Sequence, residues 1–260
     1  MLLSRWLYYL SSIPTLFLGI KNRRTMLSVF LGLASPPVVI ELEDGLRFRV
    51  RTRMDIWVLK EACLDRQYEN AGTAIQDDWT IIDIGAGLGD FAVSAARAHP
   101  RSIVYAYEPF PESFQLLREN LRLNHIENVK PFALAVGAQS GPMQLRAVSS
   151  EAVQQTTVGA PEAHAIEVSS ITLDQLLSAP TLSRCDYMKM DCEGAEYGIF
   201  FNASPATLEK IQNICLEYHD GVTAFSHDDL VRFFERNGFQ VTCTENPAHR
   251  NLGLLYAARM

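Results

Sequence analysis

The sequence predicts an α/β fold in which a mostly parallel β-sheet is covered by helices on both faces. Two observations support this prediction. Strand-like and helix-like segments alternate from residue 79 onward, and a glycine-rich turn joins the first of these strands to a helix. The composition agrees, because 260 residues with 48% apolar and 20% charged side chains are typical of a globular chain with a sizeable core.

The first forty residues are rich in Leu, Trp, Tyr and Phe, and two interpretations of them remain open. Arg5 and Pro14 interrupt the first apolar run, and Lys21, Arg23 and Arg24 separate it from the second. A membrane span needs roughly 20 uninterrupted apolar residues. We therefore expect either a pair of helices docked on the main domain or a surface anchor whose basic cluster faces anionic lipid.

The remaining elements follow in order from residue patterns. Residues 38–52 alternate around Asp44-Gly45, which indicates a hairpin, and residues 55–72 have helical spacing. Residues 138–170 are expected to form an irregular or β insertion. The last two strands have no clear helix between them and are expected to pair antiparallel. Strands are predicted over residues 79–85, 102–110, 129–137, 185–194, 210–219, 239–246 and 253–260, and helices over 89–100, 111–126, 172–178, 195–203 and 228–239.

Charge and cysteine usage narrow the class of partner and compartment. A net charge of −7 argues against non-specific nucleic-acid binding, which usually shows a basic footprint. The five cysteines are scattered and form no CxxC pair. This pattern favours reduced thiols in a cytoplasmic environment, and it argues against a structural zinc site.

Four acidic residues fall at or near the carboxyl ends of predicted strands, where ligands of such sheets bind. They are Asp83, Glu108, Asp191 and Glu217. The turn after Asp83 has Asp90 where a dinucleotide fingerprint has its third glycine, and a carboxylate beside a pyrophosphate is unfavourable. A cationic ligand without phosphate suits the turn. S-adenosylmethionine fits, with Glu108 accepting hydrogen bonds from its ribose hydroxyls.

Five segments together resemble the FkbM family of S-adenosylmethionine-dependent methyltransferases, over roughly residues 55 to 260. The most specific feature is the DxEGxE arrangement of Asp191, Glu193, Gly194 and Glu196. The segments are "IDIGAGLGDF" (82–91), "AYEPFPESFQLLRENLRLN" (106–124), "ITLDQLL" (171–177), "MKMDCEGAEYGIF" (188–200) and "ICLEYH" (214–219).

The resemblance implies a Rossmann-like class I methyltransferase fold, with a seven-stranded, mostly parallel sheet and an antiparallel C-terminal strand. It implies a methyltransferase domain over residues 55–260. The residue patterns place an apolar helical segment and hairpin before this domain, over residues 1–54. It also implies O-methylation of a sugar or another natural product, without fixing the acceptor.

The resemblance carries over to individual positions of the cofactor site. The family often has Asn where Gly87 stands, so any side-chain contact from that position is lost here. The residues that match the cofactor loop, the ribose-binding acid, the two positions beside the adenine and the invariant acid are Gly85, Ala86, Gly87, Glu108, Pro109, Phe110 and Asp191.

Methyl transfer to a hydroxyl requires alignment of donor and acceptor and removal of the hydroxyl proton. Glu217 and His219 lie two apart at a strand end and should share a face, with Asp191 on the neighbouring strand. His219 is the first choice for the base, and Glu217 would orient it or bind the hydroxyl. The alternative is a purely structural His219.

Other side chains near these strand ends receive weaker assignments. Glu193 and Glu196 are interpreted as acids that stabilise a helix N-terminus, and Tyr68 as part of a lid. The three tryptophans, Trp6 among them, are interpreted as packing residues. No metal is assigned, although Mg²⁺ or Mn²⁺ would accept the oxygen and nitrogen atoms of Asp191, Glu193, Glu217 and His219.

Two rival functions remain. One is a membrane-associated S-adenosylmethionine-binding protein that has lost catalysis, in line with the apolar N-terminus. The other is a dehydrogenase, which Asp83 and Asp90 disfavour. The preferred hypothesis is a cytoplasmic enzyme with a small-molecule hydroxyl acceptor, no nucleic-acid partner, and peripheral membrane contact through residues 1–40 as an open alternative.

Overall fold

The computed structural model describes residues 2–147, 155–156 and 165–260. A short π-helical turn (Lys60–Leu64) follows α3. The helices and strands are α1 (Leu2–Gly19), α2 (Arg23–Phe30), β1 (Val38–Glu41), β2 (Arg47–Val50), α3 (Arg53–Leu59), α4 (Gln67–Asn70), β3 (Thr80–Ile84), α5 (Asp90–Ala98), β4 (Ile103–Tyr107), α6 (Pro111–Leu123), β5 (Val129–Phe132), β6 (Ala135–Val136), β7 (Gly141–Ala147), β8 (Gln155–Thr156), β9 (Ala165–Ile171), α7 (Leu173–Ser178), β10 (Tyr187–Met190), α8 (Glu196–Phe201), α9 (Pro205–Leu208), β11 (Asn213–His219), α10 (His227–Arg236), β12 (Phe239–Glu245) and β13 (Leu252–Arg259).

The central sheet has seven strands in the order β5-β4-β3-β10-β11-β13-β12. The five strands from β5 to β11 run parallel, whereas β13 runs antiparallel to both β11 and β12. This confirms the predicted mostly parallel sheet and its antiparallel closing pair. Strand β10 is buried along its whole length, as expected for a parallel strand covered on both faces.

A separate hydrophobic cluster covers each face of the sheet, which confirms helices on both sides. Ile81 of β3 packs with Phe91 of α5 and Leu117 of α6 on one face. The next residue, Ile82, points to the other face and joins the cluster that contains Phe234 of α10. This alternation places the side chains of one strand in two cores.

The N-terminal helices pack on the first of these clusters with one side only. Leu16 of α1 and Ile20, which directly follows this helix, are buried there together with Ala92 of α5. The domain boundary that the sequence predicts at residue 54 stays a prediction. None of the described helices is long and apolar enough to cross a membrane. The outward side of α1 exposes Trp6, Leu7, Leu10, Ile13, Phe17 and Leu18.

The exposure of Trp6 contradicts the expectation that all three tryptophans are packing residues. Its side chain is 64% exposed, so the interpretation of Trp6 as a packing residue is wrong. A second correction concerns the helix predicted over residues 55–72. It breaks after the π-helical turn, because Arg66 adopts a left-handed conformation (φ 50°) before α4 begins.

The strand predicted over residues 129–137 is also divided. Its first part, β5, lies at the edge of the central sheet. Pro131 has no backbone N–H to donate, and an edge strand tolerates this because one of its sides has no neighbouring strand. Its second part, β6, pairs with β9 in a separate four-stranded sheet that also contains β7 and β8. Residues 141–147, 155–156 and 165–170 of the expected insertion thus form strands, and most of its remainder lies outside the described residues. Helix α9 was not predicted.

Candidate cofactor and acceptor site

The glycine turn after β3 is held in contact with both neighbouring strands. The N–H groups of Gly85 and Ala86 both donate to the carbonyl oxygen of Tyr107, each at 3.0 Å. Gly85 has φ 75°, and a Cβ at this position would lie 1.9 Å from the carbonyl oxygen of Asp191. Only glycine fits there, so the turn brings backbone from β3, β4 and β10 together.

Glu108, directly after β4, faces this turn. Its two carboxylate oxygens accept hydrogen bonds from the N–H groups of Gly87 and Phe110, each at 2.8 Å. Burial raises the pKa of Glu108 to about 7, and the two hydrogen bonds oppose that rise. Each carboxylate oxygen has a second lone pair, so Glu108 can still accept from a ribose diol. Pro109 and Phe110 are both half-buried, and Phe110 packs against the four-stranded sheet.

Asp83 and Lys189 occupy paired positions on β3 and β10. Lys189 Nζ lies 3.2 Å from Asp83 Oδ1 and donates to the Gly85 carbonyl at 2.7 Å. Burial raises the pKa of Asp83, and Lys189 opposes it. Burial lowers the pKa of Lys189, but Asp83, Asp191 and Asp90 outweigh burial and raise it. Lys189 therefore stays charged beneath the turn.

Sequence reasoning did not single out Lys189. The available signal was a lone charge inside the otherwise apolar strand YMKM. We call Asp83, the 85–90 turn, Glu108 and Lys189 the donor side of the cleft.

The donor side contains more buried acid than buried base. Asp83, Asp90 and Glu108 face a single lysine, Lys189, within the described part of the chain. Burial raises the pKa of Asp90 to about 7. Oδ1 of Asp83 lies 3.2 Å from Lys189 Nζ, and Oδ2 has no hydrogen-bond partner among the described residues. A ligand with positive charge and hydrogen-bond donors would satisfy these groups, so the residues present fit S-adenosylmethionine.

Asp191, which directly follows β10, begins the opposite side of the cleft. Its N–H donates to the carbonyl of Ile84 at 3.0 Å. The Tyr68 hydroxyl donates to Asp191 Oδ2 at 3.3 Å, so α4 places Tyr68 over the strand ends. Lys189 Nζ lies 5.3 Å from the centre of the Tyr68 ring.

His219, the last residue of β11, lies between two carboxylates. Its Nδ1 is 3.1 Å from Glu196 Oε1, and its Nε2 is 3.4 Å from Glu193 Oε2. Burial lowers the pKa of His219, but the hydrogen bond and charge of Glu196, together with Asp191 and Glu193, raise it to about 10. The imidazole is therefore in its doubly protonated, cationic form at neutral pH. It must lose one of these two protons before it can act as a base.

Glu196 is the first residue of α8, as expected for an acid at a helix N-terminus, but its contacts reach further. It is fully buried. Oε1 accepts from the backbone N–H of His219, and Oε2 accepts from that of Gly194, both at 2.9 Å. Glu196 thereby fixes both the strand end and the imidazole ring, a role the sequence did not reveal.

Glu193 and Glu217 complete this side of the cleft. Glu193 has φ 51°, and burial together with Asp191 raises its pKa to about 7. Glu217 lies two residues before His219 on β11, and burial and Asp191 raise its pKa well above the usual range. We call Asp191, Glu193, Glu217 and His219, with Glu196 behind them, the acceptor side.

A concave region lies away from these strand ends. It has a volume of about 480 Å³ and lies between β2 and α6. Its arginines are already paired, Arg49 with Glu119 and Arg51 with Asp55. The acids at the strand ends are not part of it, and the clustered acids between the donor and acceptor sides keep the strand ends as the candidate site.

Comparison with known proteins identifies the family. The family model of the methyltransferase FkbM domain matches residues 83–241, which is more than half of the chain. Methyltransferase 1 of Beauveria bassiana is 25% identical over 205 residues, covering 71% of this chain and 81% of that protein. The 31-O-demethyl-FK506 methyltransferase FkbM of Streptomyces tacrolimicus is 22% identical over 221 residues, covering 74% and 84%.

Among solved structures, the fibrillarin/Nop5p complex superposes with a TM-score of 0.51. That alignment has 12% identity and covers 78% of this chain and 82% of the other. At this identity the similarity concerns the fold alone.

Proposed function

This chain belongs to the FkbM methyltransferase domain family, and we propose that it transfers a methyl group from S-adenosylmethionine to a hydroxyl of a small molecule, such as a sugar or another natural product. The observation that carries the proposal is the acidic edge of the sheet, where Asp83, Glu108 and Asp191 lie at the glycine turn and Glu217 lies near Asp191 on β11. A cationic, phosphate-free cofactor suits this edge.

The donor side would hold and orient the cofactor. Gly85, Ala86 and Gly87 would bring backbone close to it, and Glu108 would accept from the ribose hydroxyls beside Pro109 and Phe110. Asp83 and Asp191 would face its positive charges. S-adenosylmethionine supplies a methyl group on a sulfonium, which leaves as a neutral thioether. Alignment by such contacts can lower the barrier by roughly 7–11 kcal/mol.

The acceptor side would bind the hydroxyl and withdraw its proton. We assign this work to Asp191, Glu217 and His219 as a group, since the His219 imidazole lies between carboxylates. His219 would lose its own proton more readily once a positive charge lies beside Asp191, because that charge offsets one of the carboxylates that stabilise the imidazolium.

The acceptor class is supported by the relatives. The Streptomyces tacrolimicus relative is named for 31-O-demethyl-FK506, which supports a hydroxyl on a natural product here. The cytoplasm is our expected location. All five cysteines, each within the described residues, are free thiols.

The second candidate function is a membrane-associated protein that binds S-adenosylmethionine without turnover. The exposed apolar side of α1, with Leu10, Ile13 and Leu18, favours it. Incubating the protein with cell extract and methyl-labelled cofactor would separate the two functions. Label transferred to a small molecule supports the enzyme, and cofactor binding without transfer supports the alternative.

Calorimetry with S-adenosylmethionine, S-adenosylhomocysteine and NAD tests the cofactor. We expect micromolar binding of S-adenosylhomocysteine and none of NAD. Glu108→Ala should weaken binding at least tenfold, because each lost charge-assisted hydrogen bond is worth roughly 1.5–3 kcal/mol. Glu112→Ala is the matched control, since that side chain is 72% exposed on the first turn of α6. Tight NAD binding, or an unchanged Glu108→Ala dissociation constant, would contradict the assignment.

A further inference from the structure

We propose that Asp191, Glu193 and His219 form a binding site for one divalent cation of the Mn²⁺ type, which holds the acceptor hydroxyl. The role toward the hydroxyl rests on the proposed function, whereas binding of the cation does not. The site uses side chains from two adjacent strand ends, β10 and β11, and the turn between β10 and α8.

The spacing of the three groups suits a single ion. One ligand atom from each residue lies within 4.8 Å of the other two. Ligand bonds of about 2.1 Å place neighbouring ligand atoms about 3 Å apart and opposite ones about 4.2 Å apart. His219 Nε2 and Glu193 Oε2 already lie 3.4 Å apart. Small side-chain movements would complete the coordination.

Glu196, which is not one of the three ligands, provides a second observation through its contact with the other ring nitrogen of His219. Histidines that bind metals almost always donate their other ring N–H to a carboxylate or carbonyl, which fixes the ring and its tautomer. Here the fully buried Glu196 contacts Nδ1 and is itself held by the N–H groups of Gly194 and His219. The ring therefore presents Nε2 to Glu193, as a metal ligand would.

The donor set indicates the class of ion, and Mn²⁺ is a member of that class that paramagnetic resonance detects. Two carboxylates and one imidazole combine the oxygen ligands that Mg²⁺ and Mn²⁺ accept with a nitrogen that suits later transition metals. Mn²⁺ accepts both kinds. Asp191 and Glu193 are half-buried, whereas the His219 side chain is only 6% exposed. The ion would be anchored on its inner side and open toward the cleft.

The chemical step then balances without further reagents. A hydroxyl oxygen bound to the cation would lose its proton more easily, and that proton would pass to water at the open side of the site. The oxygen would form a bond to the methyl carbon while the carbon–sulfur bond breaks and its electron pair stays on sulfur.

Electron paramagnetic resonance of Mn²⁺ titrated into the full chain tests the site. We expect one ion bound per chain and at least tenfold weaker binding for His219→Ala and Glu193→Gln. Glu196→Gln should weaken binding about 10–100-fold as a positioning residue, with its circular dichroism unchanged. His227→Ala is the matched control, because His227 contacts Asp220 and Asp228 in a second histidine–carboxylate group.

The possible results separate this inference from the proposed function. Absence of Mn²⁺ binding, or equal affinity in His219→Ala and Glu193→Gln, would overturn the cation site. If S-adenosylhomocysteine still binds in that case, the proposed function stands alone. Binding of Mn²⁺ that depends on His219, in a chain that binds neither cofactor form, would support the cation site and remove the proposed function. Glu193→Gln keeps the test valid if His219→Ala fails to fold, since Glu193 is 30% exposed.

Discussion

The donor and acceptor sides of the cleft contain similar numbers of acids but neutralise them differently. On the donor side, Glu108 accepts two backbone N–H groups and Asp83 faces Lys189. On the acceptor side, Glu193 and Glu196 converge on His219, the one cationic side chain described there. We therefore expect the donor side to hold a ligand in a fixed position, and the acceptor side to exchange a proton or a cation.

The largest expected effect breaks the acceptor side. His219→Ala should lower the methyl-transfer rate by about 10²–10⁴-fold, the usual range for a lost acid–base group. The cofactor dissociation constant should stay nearly unchanged, because no donor-side contact involves His219. Initial rates and calorimetry measure the two quantities. His125→Asn, at an exposed left-handed position, is the control. A wild-type rate in His219→Ala would make His219 structural.

The next effect removes the positive charge of Lys189 from the donor side. Lys189→Met should lower the free energy of unfolding by about 3–5 kcal/mol, because the fully buried Asp83 loses its countercharge. Adding Asp83→Asn should recover part of the loss. Urea unfolding measures both variants, with Lys21→Met as an exposed control. If Lys189→Met leaves stability unchanged, the proposed charge balance of the donor side is wrong.

The smallest effect is a pH dependence of the donor side. The pKa values of Asp90 and Glu108 are raised to about 7, and a bound cation favours their ionised forms. Cofactor affinity should therefore rise with pH through about 7, by about tenfold for each pKa unit that binding removes. Calorimetry between pH 5.5 and 8.5 measures this. Affinity that falls over the same range would contradict a negatively charged donor side.

The same two carboxyls affect the stability of the protein without cofactor. Their folded-state pKa values lie above the ordinary values of 3.8 and 4.5, so folding favours the protonated forms. Their stabilising contribution is fully present below about pH 4 and is lost as the pH rises through about 7. Cofactor should therefore raise the melting temperature more at pH 8 than at pH 5.5.

The two sides also differ in how far the sequence reveals them. The donor turn is encoded locally, since glycine spacing and the acid before it are adjacent in sequence. The sequence did not reveal the role of Lys189, because its partner Asp83 is distant along the chain. The two side chains come into contact only through the pairing of β3 and β10. The contact of Glu196 with His219 likewise depends on where α8 begins relative to β11.

The fold followed from local periodicity wherever an element is long and regular. The failures occurred where packing overrides a continuous pattern. Arg66 breaks a helix that its apolar spacing would continue, and the strand at residues 129–137 divides between two sheets. Trp6 is exposed although its residue type favours burial.

The position of β13 has a consequence for the order in which the protein matures on the ribosome. It lies between β11 and β12 although it follows both in the sequence, and Leu252 and Leu254 pair with His219 and Glu217. Until β13 has left the exit tunnel, β11 has an open edge of unpaired backbone groups. The parallel strands of the donor side can associate earlier. The acceptor side is therefore completed last, and a nascent chain can form the glycine turn of the donor side before it can form the fully paired end of β11.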